Sequence, residues 1–167
     1  NNISDNCIHD NKANGIHLWQ YVPQPLITDN IIAHNDISSQ SVGIRVSGCT
    51  NDIEENIISD SLAAGILCGG SSNMITGNIV RHGRGSGIKL RYSSCANTIS
   101  CNSIQNNTRS RIEIDKSCDN NSITKNDFIE NNLSCQVYDD GKGNSFNGNF
   151  FSNWNAPDKD NDSIADV

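Results

Sequence analysis

The stretch that decides the fold lies in the middle of the chain, where residues 75–80 read Ile-Thr-Gly-Asn-Ile-Val and residues 87–90 read Gly-Ile-Lys-Leu. The same pattern returns 24 residues further on, where residues 99–104 read Ile-Ser-Cys-Asn-Ser-Ile and residues 111–114 read Arg-Ile-Glu-Ile. Alternation of apolar and polar residues with a period of two is typical of β-strands, and Asn and Gly favour turns. A repeat of this kind indicates a solenoid of stacked strands.

The repeat runs through almost the whole chain as two interleaved units. The first is Ile-x-x-Asn, with Phe in the last copy, and its first residues recur at steps of 22 to 26 residues: Ile3, Ile27, Ile53, Ile75, Ile99, Ile123 and Phe146. The second is Gly-Ile-x-Leu or a variant of it, and its inward residues are Ile16, Ile44, Ile66, Ile88, Ile112 and Cys135. We expect each set to form one column of the core, and the Asn residues of stacked coils to form amide ladders.

These units predict an all-β fold, a single-stranded right-handed parallel β-helix of about six or seven coils. The composition agrees, because 22 Ile against 6 Leu favours strands and excludes a leucine-rich repeat, while 26 Asn favour turns. A β-propeller would need about 40 residues per blade. We assign residues 1–152 to β-helix repeats and residues 153–167 to a C-terminal acidic tail.

Charge and hydropathy argue against two classes of partner. The chain has 12 basic and 19 acidic residues, a net charge of −7, whereas nucleic acid binding needs a basic surface. No run of about 18 apolar residues is present, so we expect no membrane span. Asn1 begins inside a strand pattern without a cap, which leads us to expect further β-helix coils or another domain before it.

The strands that carry the second unit should present the most polar outer surface. Because the Ile points inward, the residue after it points outward, and so does the residue two positions later. The first outward row is then His17, Arg45, Leu67, Lys89, Glu113 and Gln136, and the second is Trp19, Ser47, Gly69, Arg91, Asp115 and Tyr138.

Four charged residues in these rows, Lys89, Arg91, Glu113 and Asp115, are the candidate catalytic set. Carboxylates at a glycan groove can act as acid and base or as acid and nucleophile, and Lys and Arg can bind uronate carboxylates. The alternative is an ordinary exposed salt-bridge pair between adjacent coils, which contributes little.

Candidate substrate-binding residues surround this set. The longest departure from the repeat, residues 19–26, reads Trp-Gln-Tyr-Val-Pro-Gln-Pro-Leu, and loops on a rigid scaffold often carry binding residues. The residues selected are His17, Trp19, Tyr21, Arg45 and Tyr138. In the alternative interpretation, Trp19 merely packs on the neighbouring coil.

The seven Cys do not form a zinc-binding pattern, because no Cys-x-x-Cys is present. Cys68 and Cys135 fall at inward positions, where a thiol behaves as a small apolar group. Cys95 and Cys118 fall in adjacent coils and could form a disulfide if their Cα atoms approach within about 4.4 to 6.8 Å.

The coils and the tail together resemble a known family. Residues 149–154 read Asn-Phe-Phe-Ser-Asn-Trp, and residues 157–166 read Pro-Asp-Lys-Asp-Asn-Asp-Ser-Ile-Ala-Asp. The chain is similar to NosD-like parallel β-helix repeats, which share their fold with carbohydrate-binding and sugar-hydrolase domains. It departs from the closing segment of that family at Asn161, Ser163 and Ala165, where Gly is usual. NosD is a copper-handling accessory protein, but one Met and four His in different coils do not form a copper-site pattern here.

The tail carries a candidate metal site. Asp158, Asp160 and Asp162 are spaced like positions 1, 3 and 5 of a calcium loop, and Asp166 like position 9. Ser163 stands where such a loop prefers Gly. The sequence therefore predicts weak calcium binding, and the alternative is a solvated acidic segment.

Three functions are compatible with these features. The first is a secreted or cell-surface domain that binds a polysaccharide or other glycan, with possible action on it as a hydrolase, lyase or epimerase. The second is a noncatalytic spacer, adhesin or surface-layer module, because this scaffold hosts many unrelated functions. The third follows from the resemblance alone and is a NosD-like metal-handling accessory protein. All three imply an extracytoplasmic location, whether secreted, periplasmic or on the cell surface.

Overall fold

A computed structural model describes residues 1–19, 27–130 and 136–152 of the chain. This part is a parallel β-solenoid with three sheets, and each coil contributes one strand to each sheet. The first sheet contains β1 (Asn2–Ser4), β4 (Ile31–Ala33), β7 (Asp52–Glu54), β10 (Met74–Thr76), β13 (Thr98–Ser100), β16 (Ser122–Thr124) and β19 (Ser145–Asn147). The all-β solenoid expected from the repeat is confirmed.

The other two sheets complete each coil. The second sheet contains β2 (Cys7–His9), β5 (Asp36–Ser38), β8 (Ile57–Ser59), β11 (Ile79–Arg81), β14 (Ser103–Gln105), β17 (Asp127–Ile129) and β20 (Phe150–Phe151). The third contains β3 (Asn14–Leu18), β6 (Val42–Val46), β9 (Ala64–Cys68), β12 (Ser86–Leu90), β15 (Ile112–Ile114) and β18 (Val137–Asp139). Across the described residues, no helix has the length and hydropathy that a membrane crossing requires.

The core consists of three columns of inward side chains, most of them Ile and almost fully buried. The first-sheet column is Ile3, Ile32, Ile53, Ile75, Ile99, Ile123 and Phe146. Our assignment of Ile27 to this column is therefore wrong, since Ile32 pairs with both Ile3 and Ile53. Residues 27–30 and 32–35 both read Ile-x-x-Asn, and the first coil is longer than the repeat predicts.

The third-sheet column needs a correction in its last coil. Ile16, Ile44, Ile66, Ile88 and Ile112 stack as predicted, but Val137 rather than Cys135 pairs with Ile112. Cys135 itself lies outside the described residues. A slip of two residues leaves each side chain on the face where it was predicted, so Tyr138 still points outward. It moves to the first outward row, because it pairs with Glu113.

In the described coils, the corners before the first and second sheets are built from a residue with positive φ followed by Asn. Before the second sheet these corner residues are Asp5, His34, Glu55, Gly77, Cys101, Lys125 and Gly148. The left-handed conformation is favourable only for Gly and, to a lesser degree, Asn and Asp. The hydrogen bonds of the following Asn must therefore offset the strain at each corner.

Two amide ladders run along the solenoid and supply those hydrogen bonds. Each Asn donates from Nδ2 to Oδ1 of the next coil, at 2.8–3.1 Å in one ladder and 2.9–3.0 Å in the other. The members are Asn1, Asn30, Asn51, Asn73, Asn97, Asn121 and Asn144, and then Asn6, Asn35, Asn56, Asn78, Asn102, Asn126 and Asn149. The predicted ladders are confirmed, and their Asn side chains make up most of the polar residues buried in the described interior.

Candidate functional site

The outer face of the third sheet carries most of the predicted site residues. In β15, Ile112 and Ile114 are fully buried while Glu113 between them points outward and is partly exposed. The register places Lys89 of β12 beside Glu113, and Glu113 beside Tyr138 of β18. The first outward row is therefore His17, Arg45, Leu67, Lys89, Glu113 and Tyr138, with Tyr138 in place of Gln136.

The four candidate catalytic residues form one network of ion pairs between two coils. Lys89 Nζ contacts Glu113 Oε1 and lies 3.4 Å from Asp115 Oδ1. Arg91 Nε donates a hydrogen bond of 2.8 Å to Asp115 Oδ2. The side chains of Lys89 and Glu113 are only 17% and 20% exposed. The structure thus brings the predicted set together, with both carboxylates and both cations paired to one another.

The surroundings of Glu113 keep its carboxylate ionised. Burial by itself raises the pKa of Glu113, but hydrogen bonds from Lys89 and Ser86 outweigh this effect, and the charges of Lys89 and Arg109 act in the same direction. The pKa of Glu113 is consequently below its usual value. A carboxylate of this kind can accept a proton or bind a hydroxyl group, but it is poorly suited to donate a proton near neutral pH.

A cleft of about 440 Å³ opens beside this network, where the chain leaves the third sheet. It is lined by Arg91, Tyr92, Ser93, Asp115, Lys116, Ser117, Tyr138 and Asp140. The sequence predicted Arg91, Asp115 and Tyr138 as site residues. It did not predict the turn residues of the cleft, which are Tyr92, Ser93, Lys116 and Ser117. The prediction extended strand alternation one residue past the strands, to Arg91 and Asp115, and assigned no direction to residues further along. The only sequence signal for Tyr92 was its position directly after Arg91.

A second group lies at the other end of the same face. The ring centroids of His17 and Trp19 are 5.1 Å apart in an edge-to-face arrangement, and the Arg45 guanidinium lies 5.7 Å from the Trp19 ring centroid. Burial, and then the charge of Arg45, lower the pKa of His17. Trp19 packs on Arg45 of the neighbouring coil, and 53% of its surface remains exposed.

The two groups are separated rather than continuous. Between them, Leu67 is buried in a small apolar cluster with Val42 and Ala64. Five steps between coils, at about 4.8 Å each, separate His17 from Tyr138, so the face is about 24 Å long. Tyr21, the remaining candidate substrate-binding residue, lies outside the described residues.

The described residues show no grouping of three or more His, Cys, Asp or Glu side chains that could hold a metal ion. The candidate calcium ligands Asp158, Asp160, Asp162 and Asp166 lie outside the described residues, so that site stays a prediction.

Three of the cysteines lie in successive coils, at or after the ends of strands β9, β12 and β15. Cys68, Cys95 and Cys118 are all free thiols in the structure. Burial raises the pKa of the Cys68 and Cys118 thiols. Cys95 Sγ lies 3.4 Å from the backbone nitrogen of Asp119, whereas the Cys118 side chain belongs to the buried core.

Comparisons with known proteins give a family for this chain and a solved structure with a similar fold. No curated protein matches the chain. Among solved structures, the periplasmic alginate epimerase AlgG has a similar fold, with a TM-score of 0.73 and 17% sequence identity over 90% of this chain. The match spans 39% of that protein, so the chain corresponds to well under half of its length. The family described as "Periplasmic copper-binding protein (NosD)" matches residues 27–165, and this chain therefore belongs to the NosD family.

Proposed function

We propose that this domain binds a polysaccharide along the outer face of its third sheet, with the cleft beside Arg91 and Asp115 as the main binding site. The observation that carries the proposal is the composition of the cleft. Two exposed tyrosines, Tyr92 and Tyr138, line it together with an Arg–Asp pair. Sugars offer apolar C–H faces and many hydroxyl groups. Aromatic rings suit the former, and a few fixed polar groups suit the latter.

The second group gives a reason to expect an extended ligand. Trp19, His17 and Arg45 are on the same face as the cleft, and Trp19 is also exposed. A chain of sugars that runs along the axis of the solenoid would reach both groups, whereas a single sugar would reach only one. We therefore favour a polymer over a monosaccharide as the ligand.

The proposal extends to catalysis on the bound glycan. Glu113 and Asp115 would serve as proton acceptors, and Lys89 and Arg91 would orient them. The lowered pKa of Glu113 keeps it ionised, as a base or a nucleophile must be, and does not suit it to the role of general acid. Glu113→Gln and Asp115→Asn are each expected to abolish any cleavage or epimerisation without unfolding the domain, and full activity in both variants would limit the function to binding.

The relatives support a proposal on location. The family is described as periplasmic, and so is the alginate epimerase with the similar fold. We propose an extracytoplasmic location for this chain as well. Fractionation of cells that express the full-length protein, followed by immunoblotting, should place it outside the cytoplasm. Recovery in the cytoplasmic fraction alone would contradict the proposal.

Copper has no part in this proposal, although the family description names it. Thiolates and imidazoles are the usual ligands of copper in proteins. Within the described ranges, no three His, Cys, Asp or Glu side chains converge, and the cysteines Cys68 and Cys118 are buried in the core. These residues do not fit a resident copper site, so no step is assigned to the metal.

A noncatalytic structural module is the second candidate function. The observation in its favour is that the four charged residues of the network are all paired with one another. Under this alternative the outer face would bind no glycan, and the network would serve only to hold adjacent coils together.

Titration of isotope-labelled protein with neutral and acidic oligosaccharides, followed by NMR, separates these candidates. We expect chemical-shift changes at residues 89–93, 113–117 and 138–140. The matched control is Asp127→Asn on the outer face of the second sheet, which should bind like the wild type, whereas Asp115→Asn should weaken binding. If no glycan perturbs these residues, the structural alternative holds.

A further inference from the structure

We propose that Tyr92 is the stacking platform of the cleft and that the sugar it receives is a neutral pyranose. This inference rests on the proposed function and extends it, because it names both a specificity-determining residue and a class of sugar. The sequence did not single out Tyr92, since this residue lies two positions beyond the end of strand β12, where strand alternation was no longer applied.

The backbone presents Tyr92 to solvent at a strained corner. Tyr92 and Ser93 both have positive φ, 60° and 59°. Two consecutive side chains in the left-handed region are unfavourable, and such strain is common where a side chain serves a binding site. The result is a tyrosine with 60% of its surface exposed on the wall of the cleft.

Two neighbours hold the ring in place. A methyl group added at Gly69, in the coil before, would lie 2.9 Å from Tyr92 Cδ2, so the ring occupies the space that the missing side chain leaves. The Arg91 guanidinium lies 5.3 Å from the ring centroid, and Asp115 holds Arg91 in turn. The ring is therefore ordered before a ligand arrives, which lowers the entropic cost of binding.

Tyr138 bounds the same cleft on its other side. It pairs with Glu113 in the register, and Glu113 pairs with Lys89, so Tyr138 is two coils beyond the strand that leads to Tyr92. Two steps between coils correspond to about 9.6 Å. A sugar ring on Tyr92 would thus have its hydroxyl groups beside Asp115, and a later sugar of the same chain would lie near Tyr138.

The charges that line the cleft favour a neutral sugar. Arg91 and Lys116 contribute two positive charges, and Asp115 and Asp140 contribute two negative charges. Arg91 is already paired with Asp115, so its positive charge is balanced before a ligand binds. A uronate would gain little from Arg91 and would bring its carboxylate towards two aspartates. Hydroxyl groups, in contrast, can donate to the carboxylates and accept from the cations.

Isothermal titration calorimetry with hexasaccharides of glucose and mannose, and with the corresponding uronates, tests the inference. We expect a neutral hexasaccharide to bind more tightly than any uronate. Tyr92→Ala should weaken its binding about tenfold, whereas Tyr92→Phe should bind within about threefold of the wild type because the ring is kept. Leu62→Ala, at a similarly exposed side chain on another corner, is the control and should bind like the wild type.

A double-mutant cycle with Gly69 shows whether the ring position matters. Gly69→Ala should weaken binding several-fold in the wild-type background and have no further effect in the Tyr92→Ala background, because it acts only through the ring. Unchanged affinity in Tyr92→Ala, or tighter binding of a uronate, would overturn the inference. In either case the proposed function would stand as long as the wild type binds a glycan and the chemical shifts of the cleft residues change on binding. Failure of every glycan to bind the wild type would instead refute the proposed function itself.

Discussion

Ser86 Oγ donates a 2.5 Å hydrogen bond to Glu113 Oε2 across one step between coils. The other carboxylate oxygen of Glu113 contacts Lys89, so both oxygens are bonded to the preceding coil. Ser86 is buried, and Glu113 is largely covered. This geometry explains why the carboxylate remains charged despite its partial burial, and it makes Glu113 a link between coils as well as a candidate site residue.

Glu113→Gln should lower the free energy of unfolding by about 1–3 kcal/mol at pH 7, because Lys89 loses the charge that compensates its burial. The pKa of Glu113 in the folded state is below its usual value of 4.5. The stabilisation is therefore fully present above pH 4.5 and is lost as the pH falls through the folded-state pKa. Urea denaturation of both proteins between pH 3 and pH 7 should show the difference shrinking only below about pH 4.5. Glu54→Gln is the control, since Glu54 forms no ion pair with a described residue, and a constant difference at all pH values would contradict the prediction.

Asn102→Ala should be among the most destabilising polar substitutions in the chain. Asn102 Nδ2 donates to the carbonyl oxygens of Ile75 and Ser100 and to Asn126 Oδ1, and its own Oδ1 accepts from the backbone nitrogen and Nδ2 of Asn78. Removal of the amide leaves several buried groups without partners, at a cost of about 3 kcal/mol or more.

Thermal or urea denaturation of Asn102→Ala measures that cost. Asn147→Ala is the matched control, because Asn147 is exposed on the outer face of the first sheet and should change stability by less than about 0.5 kcal/mol. Equal effects of the two substitutions would show that the ladder does not stabilise the solenoid.

Gly65→Ala should destabilise the solenoid because the new side chain clashes with its neighbours, and not because of an unfavourable backbone φ. The new Cβ would overlap Val80 Cγ1 and would lie 2.7 Å from the carbonyl oxygen of Gly87. Overpacking of this kind costs about 1–3 kcal/mol, and Val80→Ala in the same chain should recover part of the loss. Gly148→Ala meets no atom closer than 3.7 Å but has a φ of +61°, so it should cost about 1 kcal/mol. Denaturation midpoints that reverse this order would contradict the explanation.

Calcium is expected to bind weakly to the tail through Asp158, Asp160, Asp162 and Asp166, whose spacing follows a calcium loop. Calorimetric titration should give heat at millimolar calcium. A variant in which Asp158, Asp160 and Asp162 are all replaced by Ala should give none. Absence of heat in the wild type, or the same heat in the triple variant, would show that the tail is only an acidic segment.

The register was predictable where the spacing between units was constant. Nine residues separate the Asn of the first unit from the Gly position of the second in most coils, as from Asn78 to Gly87 and from Asn56 to Gly65. Asn30 is 13 residues from Gly43, whereas Asn35 is 8 residues from it, so this spacing already favoured Ile32 over Ile27. In the last coil the same spacing from Asn126 would put the Gly position at Cys135 and the inward residue at Gln136, and only the observed pairing of Val137 with Ile112 shows the actual register.

The sequence by itself determined the fold class, the inward and outward faces of the strands and the grouping of Lys89, Arg91, Glu113 and Asp115. These properties follow from a period of two within strands and a nearly constant period between coils. Only the tertiary structure decided that the four charges are paired with one another and that Tyr92, a corner residue, lines a cleft with Tyr138. Strand alternation specifies which face a side chain occupies. The direction of a side chain at a corner depends instead on local φ and on the space left by the neighbouring coil, here by Gly69.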